Sequence, residues 1–337
     1  LQAQAVLAEL KRLLALEGGG DWQGCAILAR SHRYLWPVQA FCEQHDIPYS
    51  LAADRQNALP LTRLRPFTRL VAHLRQVTQP SLAASAAFEF ARNVTHEAAF
   101  QSFFASAFEQ LAGEYGDCQL SPATIIGWLY EYAREMRQQP RPGLFLGTVH
   151  SAKGLEFRHV SLLDGHWDST TEQLDEARRL YYVGMTRASE TLTLCEFDPG
   201  NPLASSLHGG GRQLDFGGVH DPTLDQHYQT LGLKDIDLGF PGRQAPDAPI
   251  HAAIARLEPG DPVSLQRAGD RYLIRDASGQ IVGRTSRSFQ LEIEPVSSHV
   301  AGVVTRLSEE TDPAYLANIR CPQWELIVPQ VKGHLKP

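Results

Sequence analysis

Thr148-Val-His-Ser-Ala-Lys-Gly-Leu-Glu-Phe157 brings an imidazole, two hydroxyls, an ammonium, a glycine and a carboxylate into one short stretch. Polar, glycine-containing connections that follow an apolar strand are where open α/β sheets bind ligands. His150, Ser151 and Lys153 can donate to phosphate oxygens, and Gly154 lets backbone approach a ligand closely. Lys153 is one of five lysines beside 26 arginines, so lysine is not the default basic residue of this chain. The same residues also describe an ordinary polar turn between two core strands.

A second stretch, Glu176-Ala-Arg-Arg-Leu-Tyr-Tyr-Val-Gly-Met-Thr-Arg-Ala188, reads as part of a helix from about Glu172 to Ser189. Leu174, Ala177, Leu180, Tyr181, Gly184 and Ala188 fall on one face, and Ser169 and Glu172 have capping-box spacing. Arg187 comes near the end of that helix. An arginine there either reaches an anion or satisfies the last helical carbonyls.

The elements that must position these stretches alternate between strand and helix. Cys25-Ala-Ile-Leu-Ala29 predicts a buried strand, Tyr34–Gln44 an amphipathic helix and Ile47–Leu51 another strand, a βαβ order that implies a parallel sheet. Strands are also expected at Leu144–Val149, His159–Leu163 and Thr191–Phe197, and a helix over residues 1–16, stopped by Gly18-Gly-Gly20. Residues 81–139 carry helical patterning rich in Ala, Phe and Glu, ended by Pro140 and Pro142. Period-two stretches return near Val263–Gln266, Tyr272–Arg275, Ile281–Arg284, Ala301–Arg306 and Glu325–Val328, with a hairpin turn at Asp276–Gly279.

The expected fold class is therefore α/β: a parallel sheet with helices on both faces and a helical insertion, then a small all-β domain. The boundaries are 1–76 and 141–200 for the sheet lobe, 77–140 for the insertion, 201–235 for a linker and 236–337 for a β-barrel-like domain.

Composition narrows the function classes. Across 337 residues the net charge is −7 and the deficit is spread along the chain, so no part is a basic nucleic-acid sponge and any such contact must use a local groove. The five cysteines are widely spaced with no C-x-x-C pair, against a disulfide framework or a cysteine zinc site. A reducing, cytoplasmic setting is expected. No run of 18 apolar residues predicts a membrane span. No H-E-x-x-H or other ligand spacing is present, so no bound metal is expected. The first residue is Leu rather than Met, which suggests a piece of a longer polypeptide.

Taken together, the two chemical stretches resemble the fifth and sixth signature motifs of superfamily 1 helicases of the UvrD/Rep/PcrA type. Cys25–Leu51 and Leu61–Gln76 resemble that family's preceding segments, so the resemblance spans about residues 20–200. It implies that the sheet lobe is RecA-like, the C-terminal motor lobe of an ATP-dependent DNA helicase. Thr148 and His150, with Ser151 and Lys153, would touch the backbone of single-stranded DNA. Gly154 and Glu156 would lie beside the nucleotide, Glu156 near its ribose or γ-phosphate. Arg187 would be the arginine finger on the γ-phosphate, and Arg178 and Arg179 ion-pair partners within the motif. Single-stranded DNA or DNA junctions, and an N-terminal helicase lobe, are the implied partners. Similar tails occur in long bacterial proteins that join such a lobe to a RecQ-type engine, and a DNA-repair role follows only from the resemblance.

The sequence contains no G-x-x-x-x-G-K-[ST], so the P-loop that holds ATP and Mg²⁺ must come from the first lobe. Asp175-Glu176 has no apolar strand before it and is rejected as a magnesium site. The alternative is a non-catalytic module that docks on DNA or on a helicase. Arg55, Arg63, Arg65, Arg69 and Arg75, with no acid between Arg55 and Phe88, read equally as a DNA-tracking groove or a solvated helix face.

Overall fold

The computed structural model describes the chain except Gly20, 53–58, His96, Asp117, 136–142, His166, 168–173, 197–200, Pro202, 205–209 and 336–337. The longer helices are α1 (Gln2–Leu16), α2 (Trp36–Gln44), α3 (Arg65–Gln76), α4 (Ala84–Asn93), α5 (Ala98–Tyr115), α6 (Pro122–Glu135), α7 (Leu174–Met185) and α8 (Pro249–Arg256). The longer strands are β1 (Cys25–Ala29), β2 (Tyr49–Leu51), β3 (Leu144–Thr148), β4 (Phe157–Leu162), β5 (Ala188–Leu194), β6 (His227–Thr230), β7 (Val263–Ala268), β8 (Arg271–Asp276), β9 (Ile281–Arg284), β10 (Ile293–Leu307) and β11 (Gln323–Leu335). The chain divides into two units, residues 1–55 with 138–227 and residues 56–137 with 228–337. Among the described residues, no helix is long and apolar enough to cross a membrane.

The first unit is built on a five-stranded sheet in the order β2-β3-β1-β4-β5, with every pairing parallel. β1 lies at its centre and is buried along its whole length, as expected of a strand covered on both faces. Its side chains alternate between two cores. Cys25, Ile27 and Ala29 pack with Leu7, Leu10, Leu35 and Val38 of the α1–α2 side, and Ala26 and Leu28 with Leu180 and Tyr181 of α7. This is the α/β lobe with helices on both faces that the sequence predicts.

The second unit joins the helical segment to the β-rich tail. Phe67, Leu70 and Leu74 of α3 share a core with Phe104, Leu111, Ile125 and Leu129 of α5 and α6. The tail holds two antiparallel three-stranded sheets, β9-β8-β7 and β10-β11-β6, over a core that includes Ile274, Val304 and Val328. Leu64 packs against both cores. Placing residues 56–76 in the sheet lobe is therefore corrected: α3 belongs to the second unit.

The reason is Arg65, only 2% exposed. It forms a two-pronged pair with Glu325 at 2.8 Å and donates to the Ile254 and Leu257 carbonyls at the end of α8, at 2.7 and 2.5 Å. Among the described residues, the arginines of that run accordingly do not line one exposed groove. Arg65 is a buried tie, Arg63 pairs with Glu310, Arg69 and Arg75 are exposed, and Arg55 lies outside the described residues.

The expected linker also carries structure. Ala204 is buried in the α7-side core of the first unit, Leu224 is buried in a single helical turn, and β6 pairs into the tail sheet.

Candidate nucleotide and nucleic-acid site

The chemistry-bearing stretches meet at the carboxyl edge of the parallel sheet. Ala29 pairs with Thr148, so the chain leaving β1 and the chain leaving β3 emerge side by side. From there β1 leads through α2 on one face, whereas the β3–β4 connection packs Val149 and Ala152 into the α7-side core. Adjacent strands whose connections leave to opposite faces open the crevice where such folds bind ligands.

The turn after β3 sorts its side chains by chemistry. Val149 continues the ladder by donating its N–H to Ala29 O (3.0 Å), and Ala152 N–H closes the turn onto Thr148 O (3.1 Å). Both side chains are buried, which leaves His150, Lys153, Gly154 and Glu156 exposed, with Thr148 and Ser151 half-buried. Ser151 is locked to Thr148: its hydroxyl donates to Thr148 O (2.7 Å) and its N–H to Thr148 Oγ1 (3.2 Å). Gly154 adopts φ +86°, a left-handed conformation that glycine takes at little cost.

α7 ends at Met185, so Arg187 lies just beyond the helix rather than on it. The Ser169–Glu172 capping box lies outside the described residues. Ala177, Leu180, Tyr181 and Gly184 are buried, as the sequence face predicts. Gly184 permits the helix to sit close on the turn, since a Cβ there would come 3.0 Å from Val149 Cγ2. Asp175 and Glu176 are exposed in the first turn, where carboxylates favour the helix dipole, and Arg178 pairs with Asp175 at 2.8 Å on the surface. Arg179 is exposed.

Arg187 joins the two stretches. Its Nε donates to Val183 O (3.0 Å), Nη1 to Leu155 O (2.9 Å) and Nη2 to Thr186 Oγ1 (3.2 Å). Its own carbonyl accepts from Phe157 N–H (2.9 Å). The guanidinium therefore both caps helical carbonyls and reaches the turn that holds Gly154 and Glu156.

One group at this edge was not singled out from sequence. Arg30 follows β1 directly, and its Nη1 is buried with no hydrogen-bond partner among the described residues, as is Ser31 Oγ. Its guanidinium lies 5.9 Å from the Trp167 ring centroid, and Trp167 meets Tyr181 edge-on at 4.8 Å. Burial, with Glu196 and Asp164 adding to it, pushes the Tyr181 phenol up, so it stays protonated. A basic residue at the end of a fully apolar strand was the available signal.

The comparison with known families falls on this region. Residues 124–198 match the family model of the UvrD-like helicase C-terminal domain. No curated protein matches the chain. The UvrD-like match takes in α6, β3, β4, α7 and most of the turn and helix chemistry described above, and it is consistent with a C-terminal helicase lobe.

Proposed function

We propose that the sheet unit is the second motor lobe of an ATP-dependent DNA helicase, closing on ATP and Mg²⁺ held by a P-loop lobe. The observation that carries this reading is the junction at the carboxyl edge. Arg187 and the Leu155–Phe157 backbone are hydrogen-bonded into one assembly, with Lys153, Gly154 and Glu156 turned outward beside it. Arg187 serves as the finger on the γ-phosphate, exchanging its bond to the Leu155 carbonyl for a phosphate oxygen. The unpartnered Nη1 of Arg30 supplies a second donor, and Glu156 and Gly154 border the nucleotide. Mg²⁺ would be held by the P-loop lobe and would supply neutralisation of the phosphate charge. Thr148, His150, Ser151 and Lys153 form the DNA-facing end of the turn.

A second reading, a non-hydrolysing DNA- or helicase-binding module, is favoured by an Arg187 guanidinium already bonded to the Val183 and Leu155 carbonyls. Under it, the chain joined to a P-loop lobe binds DNA yet hydrolyses no ATP.

DNA contact is tested by His150→Ala. Fluorescence anisotropy with a labelled oligo-dT should show affinity falling about tenfold, as for one lost hydrogen bond to a charged phosphate. Unchanged affinity would remove His150 from the DNA path.

A further inference from the structure

A second cluster lies at the opposite, amino-terminal edge of the same sheet. His159 of β4 pairs with Cys25 at the first position of β1, and its side chain is 3% exposed. Its Nε2 meets Glu17 Oε1 at 2.8 Å, and its Nδ1 meets Thr191 Oγ1 at 2.9 Å. One ligand atom from each of Glu17, His159 and Glu190 lies within 4.8 Å of the other two. These three residues come from three elements: the end of α1, β4 and β5.

Glu190 reaches this cluster because β5 is irregular there. Phe157 pairs with Ala188 and His159 with Thr191, so three steps on β5 match two on β4. In a regular strand Glu190 and Thr191 would point to opposite faces; a bulge re-aims a side chain. Here it brings the Glu190 carboxylate and the Thr191 hydroxyl to the same imidazole.

We infer that Glu17, His159 and Glu190 bind one divalent transition-metal ion, with His159 Nε2 and one oxygen of each carboxylate as ligands. An imidazole with two carboxylates suits zinc and its neighbours, whereas magnesium prefers oxygen alone and retains its waters. Donors about 2.1 Å from a tetrahedral metal sit about 3.4 Å apart, so the 2.8 Å Glu17–His159 contact opens by about 0.6 Å and the separations of up to 4.8 Å close around the ion.

The surrounding groups are those a metal site uses to aim its ligands. Thr191 fixes the imidazole plane through Nδ1. Arg158 Nη1 holds Glu17 Oε2 at 2.8 Å and leaves Oε1 facing His159. The two carboxylates outweigh the one guanidinium, leaving a negative site for the cation. Water completes the coordination on the exposed side. Glu17 and Glu190 lie far from His159 or off any familiar ligand spacing in sequence, which is why the linear motif search predicts no metal.

The test is calorimetric titration of the full chain with zinc chloride, with magnesium chloride as control. One zinc per chain is expected, and no magnesium uptake. Glu190→Gln, an exposed position that leaves packing intact, should weaken zinc binding about tenfold or more, and Thr191→Val by a similar factor through loss of ligand orientation. Zinc should raise the melting temperature of the parent chain and not that of His159→Gln. Cobalt substitution should show no thiolate charge-transfer band. Absence of zinc binding, binding unchanged in Glu190→Gln, or a thiolate band pointing to cysteine ligands would overturn the inference. None of these outcomes depends on the helicase reading.

Discussion

Arg187→Ala, in a polypeptide that joins this chain to a P-loop lobe, is expected to reduce DNA-stimulated ATP hydrolysis about a thousandfold or more while DNA affinity changes little. The size follows from the role: a finger stabilises charge that develops on the transferring phosphoryl group, and Arg30 at the end of β1 supplies only a second donor beside it. Arg187 also ties Val183 to Leu155, so truncation could loosen the junction by itself. Arg187→Lys separates the two effects. Lysine retains the charge but lacks the fork that spans both carbonyls and a phosphate. Hydrolysis lost in both variants, with melting temperature unchanged in Arg187→Lys, identifies the finger. Turnover within tenfold of the parent in both would assign Arg187 to holding the turn.

Arg65→Ala has the largest expected effect on stability. The buried guanidinium is held by Glu325 and by two carbonyls at the carboxyl end of α8, where a cation also favours the helix dipole. Removing it leaves a partly buried carboxylate and two carbonyls without their donor, a loss of about 3–5 kcal/mol. For a unit of this size that corresponds to a fall of roughly 6–20 °C in the midpoint of its thermal transition. The cost belongs to the uncompensated partner rather than to the ion pair as such. Arg65→Met with Glu325→Leu should therefore recover most of the lost stability. Arg69→Ala and Arg75→Ala, at exposed positions of the same helix, should stay within about 0.5 kcal/mol of the parent. A melt of Arg65→Ala indistinguishable from Arg69→Ala would show that α3 is not anchored this way.

Arg65 marks the boundary of what the amino-acid sequence makes legible. Largely apolar runs such as Cys25–Ala29 and Leu144–Val149 announce buried parallel strands, and their limits are met within a residue. The turn from Thr148 to Phe157 and the stretch ending at Arg187 are legible because the spacing of their residue types is unusual. Structure is needed to see that Arg187 touches Leu155. Arg65 reads as one of five surface arginines because its partner Glu325 is distant in sequence. β6, His-Tyr-Gln-Thr, has no apolar alternation and becomes a strand only through its neighbour in the tail sheet. Arg30 and the Glu17–His159–Glu190 cluster depend likewise on strand neighbours and a bulge, features of pairing that no local window contains.

The central claim, that this is the second half of a two-lobed motor, is tested most directly by ATP turnover of this chain alone and of the same chain joined to a P-loop lobe, each with and without oligo-dT. The account predicts no turnover by the chain alone and DNA-dependent turnover by the joined protein. Turnover by the chain alone, or a joined protein that binds ATP and DNA yet hydrolyses nothing, would contradict it.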